Sequence, residues 1–175
     1  MNKETPIQGF GALAPTRTGL SAEVRHKSVA ALNRMLAHTL NLRDLYKKNH
    51  WQTSGATFYQ LHLLFDKHYA QQADLADTIA ERVQTLGGVT MALAADAAAE
   101  SRVGHVPRGR ESVHAELDGL CTAHELILIE ARALAREAAQ RGDDGTNDLL
   151  VSDVVRTNEL QCWFVNEHLT HDGSR

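Results

Sequence analysis

The stretch NHWQTSGATFYQLHLLFDKHYAQQADLADTIAERVQTLGG, residues 49–88, decides the reading of this chain. Between Gly55 and Gly87 it holds neither glycine nor proline. Phe58, Leu61, Phe65, Leu75, Ile79, Val83 and Leu86 are spaced by three, four or sums of these, the period of a helix with one buried face. The same helix carries His62, Asp66, Asp77 and Glu81 as two pairs, each four residues apart and so one turn apart on one face. At about 100° per residue the four fall at about 0°, 40°, 60° and 100°, a single stripe. Imidazole and carboxylate together suit a borderline divalent metal such as Fe²⁺, Mn²⁺ or Zn²⁺.

Length along the axis sharpens this. At 1.5 Å per residue Asp66 and Asp77 are about 16 Å apart, and His62 and Glu81 about 28 Å. Two metals of one centre lie only about 4 Å apart, so the two pairs cannot serve one centre within one chain. Both pairs share a midpoint between Gln71 and Gln72. A second copy packed antiparallel across a two-fold axis there brings His62 toward the partner's Glu81 and Asp66 toward the partner's Asp77. Such an isologous dimer has two equivalent mixed sites. His50, at the end of the preceding helix, is folded back beside His62 by the short Thr53-Ser54-Gly55 connection and joins the same site.

Outward from this stretch, glycine and proline divide the chain. Four long helices are predicted, roughly 21–52, 57–86, 110–141 and 146–169, with a short helix around 92–100 in a long connection. Gly142-Asp143-Asp144-Gly145 reads as the last turn, residues 1–20 as a flexible tail and 171–175 as a second tail. One domain fits 175 residues, and the low aromatic content, 5%, with three prolines favours packed helices over a β-sandwich or barrel. A net charge of −4 excludes a molecule that binds nucleic acid through overall charge. Cys121 and Cys162, distant in sequence and without a CxxC, exclude a disulfide framework or a thiolate zinc site and fit a reducing compartment. No secretory signal and no apolar run of membrane-spanning length is read, so a cytoplasmic protein is expected.

The NHW at 49–51, the H-x-x-x-D at 62–66, the D-x-x-A-E-R at 77–82 and the LGG at 86–88 resemble the Dps family, the miniferritins named as DNA-binding proteins from starved cells. TNDLL at 146–150 and WFVNEHL at 163–169 are similar to that family's last helix. The resemblance spans about residues 25–169. It implies an all-α, ferritin-like four-helix bundle with a short extra helix between the second and third. It implies a hollow dodecamer built from two-fold dimers, with ferroxidase centres at the dimer interfaces that oxidise Fe²⁺ by hydrogen peroxide, or by oxygen, and store the ferric mineral within. His50, His62 and Asp66 would come from one subunit and Asp77 and Glu81 from its neighbour, holding two irons per site, with zinc as competitor. Trp51 would pack beside the ligands or act as a local electron donor, as would Tyr46. Acidic residues near the last turn line iron-admitting pores in the family, which makes Asp148 the pore candidate.

Two other patterns are weaker. Glu23-x-x-His26 and Glu111-x-x-His114 have the spacing of an intrabundle di-iron site but fall at helix beginnings. His168 and His171, three apart near the C-terminus, read as a solvated end. DNA as a partner, and with it nucleoid association, has thin support: residues 1–20 carry only Lys3 and Arg17 against Glu4, with Arg25 and Lys27 adding a little. A DNA-compacting protein with a secondary metal site is the rival reading.

Overall fold

In the computed structural model, which describes residues 6–170, the chain is built of helices joined by coil. Helix α1 spans Ala22–Gln52, α2 Phe58–Thr85, the short α3 Ala94–Glu100, and α4 Val113–Gln140. The last helix, α5, runs without a break through Asp144–Asp148, a π-helical stretch Leu149–Val155, and Arg156–Glu167. The four long helices and the short connecting one are those expected from the period of the apolar residues.

The boundaries show where caps decided. Ser112 caps α4 by accepting from the Ala115 amide, so the helix starts at Val113 rather than 110. Asp143 accepts from the Thr146 amide in the same way, so α5 already begins at Asp144, inside the stretch expected to be a turn. Gly142, at φ 75°, provides the reversal instead. The π-helical stretch has no sequence signal. Its Val154 carbonyl accepts from the Asn158 side-chain amide.

Leu32, Met35, Leu36 and Leu42 of α1, Leu61, Phe65, Ile79 and Val83 of α2, Leu117, Leu120 and Ile127 of α4, and Leu150, Val154 and Val165 of α5 form one core. Ala37, Met91 and Ala97 pack α3 against α1. Gly87 and Gly88 let the end of α2 close on its neighbours. A Cβ at Gly88 would lie 2.6 Å from Val29, and one at Gly87, already at φ 81°, 2.5 Å from the Ala14 carbonyl oxygen.

That contact fastens the N-terminal arm. Residues 6–20 form no regular element, yet Ala14 N–H and Gln8 Nε2 both donate to the Gly87 carbonyl. Arg25 is buried and donates to the carbonyls of Ala14 and Leu86. Arg25 is therefore a clamp between arm and bundle and, contrary to the expectation from sequence, does not add to a DNA-facing charge. Lys3 and Glu4 lie outside the described residues.

Candidate metal centre

Asn49-His50 closes α1 and His62 opens the second turn of α2. Gly55, at φ 96°, allows the tight reversal between the helices. The imidazoles of His50 and His62 stack with centroids 3.8 Å apart and planes 19° apart. His50 Nδ1 donates to the His62 carbonyl and His62 Nδ1 to the His50 carbonyl, each at 2.8 Å. A carbonyl oxygen only accepts, so both Nδ1 atoms carry the proton. In the neutral form of each ring this leaves the lone pair on Nε2, the atom metal ligation would use.

Asp66 completes this half. Its Oδ1 lies 4.0 Å from His50 Nε2 and 2.5 Å from Lys47 Nζ. The Lys47 hydrogen bond is the main reason the Asp66 carboxyl sits below its ordinary pKa. Lys47, which also lies 4.6 Å above the Tyr69 ring, was not singled out in the sequence, although it is three residues before His50. It keeps Asp66 ionised and competes with an arriving cation. Lys47→Gln is expected to tighten Mn²⁺ binding here by about two- to five-fold, the span of an exposed ion pair, as read by titration at low ionic strength.

Asp77 and Glu81 are exposed farther along the same uninterrupted α2. Among the described residues no three His, Cys, Asp or Glu side chains of one protomer gather into a metal site. The protomer stacks His50 on His62 and sets Asp66 4.0 Å from His50 Nε2, a partial set that falls short of a three-ligand group, and it leaves Asp77 and Glu81 farther along the helix.

The middle of the bundle holds uncharged groups instead. Tyr46, His68, Gln72, His124, Asn158 and Gln161 are all buried there. Gln72 Nε2 donates to Gln161 Oε1 at 2.9 Å and to Asn158 Oδ1 at 3.2 Å. Burial pulls the His68 pKa down to about 3 and that of His124 to about 4, so both rings are neutral. Glu23, His26 and His114 are exposed in the first turns of their helices, and Glu111, before α4, pairs with Lys48 at 2.8 Å. Neither E-x-x-H pair reaches the bundle interior.

Asp143 is buried, bonded to Arg82 at 2.6 Å and Ser28 at 2.5 Å as well as capping α5. Asp148 is exposed and accepts from Ser152. Trp51 is 69% exposed. His168 is exposed at the end of α5, and His171 lies outside the described residues. Cys121 and Cys162, remote in sequence, line one surface cavity as free thiols, and burial pushes the Cys121 pKa up to about 12.

Residues 29–173 match the family described as the ferritin-like domain. The chain is similar to DpsC from Streptomyces coelicolor, with 51% identity and a TM-score of 0.95, over 98% of this chain and 99% of that one. The chain belongs to the Dps family. It is 30% identical to a nutrient stress-induced DNA-binding protein of Synechococcus, over 95% of this chain and 94% of the relative. A Dps of Vibrio cholerae O1, described as a member of a broad superfamily of ferritin-like diiron-carboxylate proteins, aligns at 26% identity and a TM-score of 0.84, over 91% of this chain and 99% of that one. The Dps fold accounts for the long α2–α4 connection with its short helix. Among the described residues no helix is long and apolar enough to cross a membrane.

Proposed function

We propose that this Dps chain oxidises Fe²⁺ and stores the ferric product inside a closed homo-oligomer, a dodecamer of two-fold dimers. The observation that carries this reading is the His50–His62 pair, whose reciprocal Nδ1 bonds pre-set two Nε2 lone pairs beside the Asp66 carboxylate. In the dimer, His50, His62 and Asp66 of one protomer face Asp77 and Glu81 of the next. Two imidazoles and three carboxylates can bind Fe²⁺ and offset the charge gained on oxidation. Two irons held together each give one electron to peroxide, so reduction reaches water without releasing hydroxyl radical.

Assembly agrees with what the protomer exposes. Trp51, Phe58, Tyr59 and Leu63 stand on the surface around the histidines, an apolar patch that a neighbouring chain would cover. Trp51 packs beside the ligands only once that neighbour is in place. Asp148, exposed at the start of α5, is the proposed pore residue.

The test is anaerobic loading with Fe²⁺ followed by hydrogen peroxide, read by ferric absorbance. His50→Ala, His62→Ala and Asp66→Ala combined are expected to slow oxidation at least about a hundred-fold, the scale of losing ligands at a catalytic centre. Unchanged oxidation would remove the site. Protection of DNA is the second reading, favoured by the DNA-binding relative. Gel retardation at physiological salt tests it, and absence of any shift discards direct binding.

A further inference from the structure

Away from the histidines, the end of α1 and the first turn of α4 bury a group of oxygen atoms together. Glu116 is 2% exposed, Asn49 1% and Thr53 3%. Both carboxylate oxygens of Glu116, Asn49 Oδ1 and Thr53 Oγ1 have no hydrogen-bond partner among the described residues. The three side chains meet at one place. Asn49 Nδ2 donates to the Glu116 carbonyl at 3.5 Å, which leaves Oδ1 as the unpartnered end of that amide. The Thr53 amide donates to the Asn49 carbonyl at 2.8 Å, so Thr53 stands one turn beyond Asn49. Burial is the main reason the Glu116 carboxyl sits above its ordinary pKa, and the nearby Thr53 hydroxyl and Lys48 charge pull the other way.

Buried polar atoms are paired in native proteins, and a buried carboxylate above all. Here every unpartnered atom offers a lone pair: carboxylate, amide carbonyl and hydroxyl oxygens. An all-oxygen set suits a hard cation. The surrounding charge selects its valence. Lys48, which acts on Glu116, is paired with Glu111 at 2.8 Å, and Arg110 acts from the exposed side. The Lys48–Glu111 pair cancels, so Glu116 lacks one positive charge. A divalent ion would leave surplus positive charge buried beside Lys48, at a heavy desolvation cost. We propose that Glu116, Asn49 and Thr53 bind a single alkali cation, Na⁺ or K⁺, between the end of α1 and the start of α4. The ion ties the turn that presents His50 to α4. The proposal is independent of the iron-oxidising reading, since it uses none of the proposed iron ligands.

Thermal unfolding in three salts tests it. Iron-free full-length protein is melted at fixed protein concentration and equal ionic strength in KCl, NaCl or tetramethylammonium chloride, whose cation is too large to enter. With an ion present at several times its dissociation constant, the wild type should melt about 2–4 °C higher than in the tetramethylammonium salt. A rise in KCl, in NaCl or in both identifies the ion. Glu116→Gln keeps the shape of the side chain and removes its charge, so it should melt alike in all three salts. Equal wild-type values in the three salts, the result of a water or a protonated Glu116 in the ion's place, overturn the proposal. So does a rise that persists in Glu116→Gln. Should that variant fail to assemble, wild-type crystals soaked in RbCl decide. Anomalous density touching the Glu116 and Asn49 oxygens upholds the site, and its absence there overturns it. Each of these outcomes leaves the iron centre as it stands.

Discussion

Co-assembled His62→Ala and Glu81→Ala protomers, mixed one to one, should recover about a quarter of wild-type iron oxidation although each variant alone is inactive. The arithmetic follows from sharing. A dimer of either variant has both sites broken. A mixed dimer collects both defects in one site and leaves the other intact. Half of randomly formed dimers are mixed, and each has one good site of two. Were the ligands of one site drawn from one protomer, every site in the mixture would be broken and recovery would be nil. The experiment dissociates the two proteins together, reassembles them, and compares initial rates of ferric absorbance with each variant treated alone. The expectation rests on the continuity of α2, whose length keeps His62 and Glu81 of one chain apart.

Asp143→Ala should cost about 3 kcal/mol of stability, because removing one partner of a buried ion pair strands the other. Asp143 binds Arg82, Ser28 and the first turn of α5 at once, so three elements loosen together. For a chain of this size that is a fall in Tm of roughly 6–12 °C, measured at fixed protein concentration. A change below about 2 °C would show that the cap and ion pair do little. The wild type should also weaken in acid. Burial alone would raise the Asp143 pKa, but hydrogen bonds from Ser28 and Thr146 and the Arg82 charge outweigh it and hold it below the usual value. A carboxylate with a depressed folded pKa stabilises above its unfolded pKa and loses that contribution as pH falls through the folded one. His68 and His124 act earlier. Their folded pKa values, about 3 and about 4, lie below the ordinary histidine value, so the unfolded chain binds the extra protons first. Stability is expected to decline from about pH 6.5 down to about pH 3 through the histidines, with Asp143 adding to the loss below about pH 4.

The bundle was legible because apolar residues repeat at helical spacing along α1, α2, α4 and α5, and because Gly55, Gly87 and Gly142 stand at real reversals. The histidine half of the site was legible for a similar reason: a short turn leaves His50 nowhere to go but beside His62. The reciprocal carbonyl bonds that set their tautomers were not, since backbone oxygens carry no residue identity. Lys47 looked like any solvated lysine until its reach to Asp66 was fixed by the packing of α1 on α2. Tyr46, His124 and Asn158 lie on three helices, and only tertiary structure lines them up. Arg25 was misread for the converse reason, because a cation near a tail looks like surface until its carbonyl partners are in place. Cys121 and Cys162 were parted by sequence and joined by the packing of α4 on α5.

The unbroken span of α2 also separates the two centres of the proposed dimer from each other. Measured from the middle of His62–Asp66 to the middle of Asp77–Glu81, the gap is about 22 Å of helix. Over that distance through packed side chains, electron tunnelling is slow. The centres are therefore electrically solitary, each obliged to finish its own redox arithmetic, with no credit to draw from its twin.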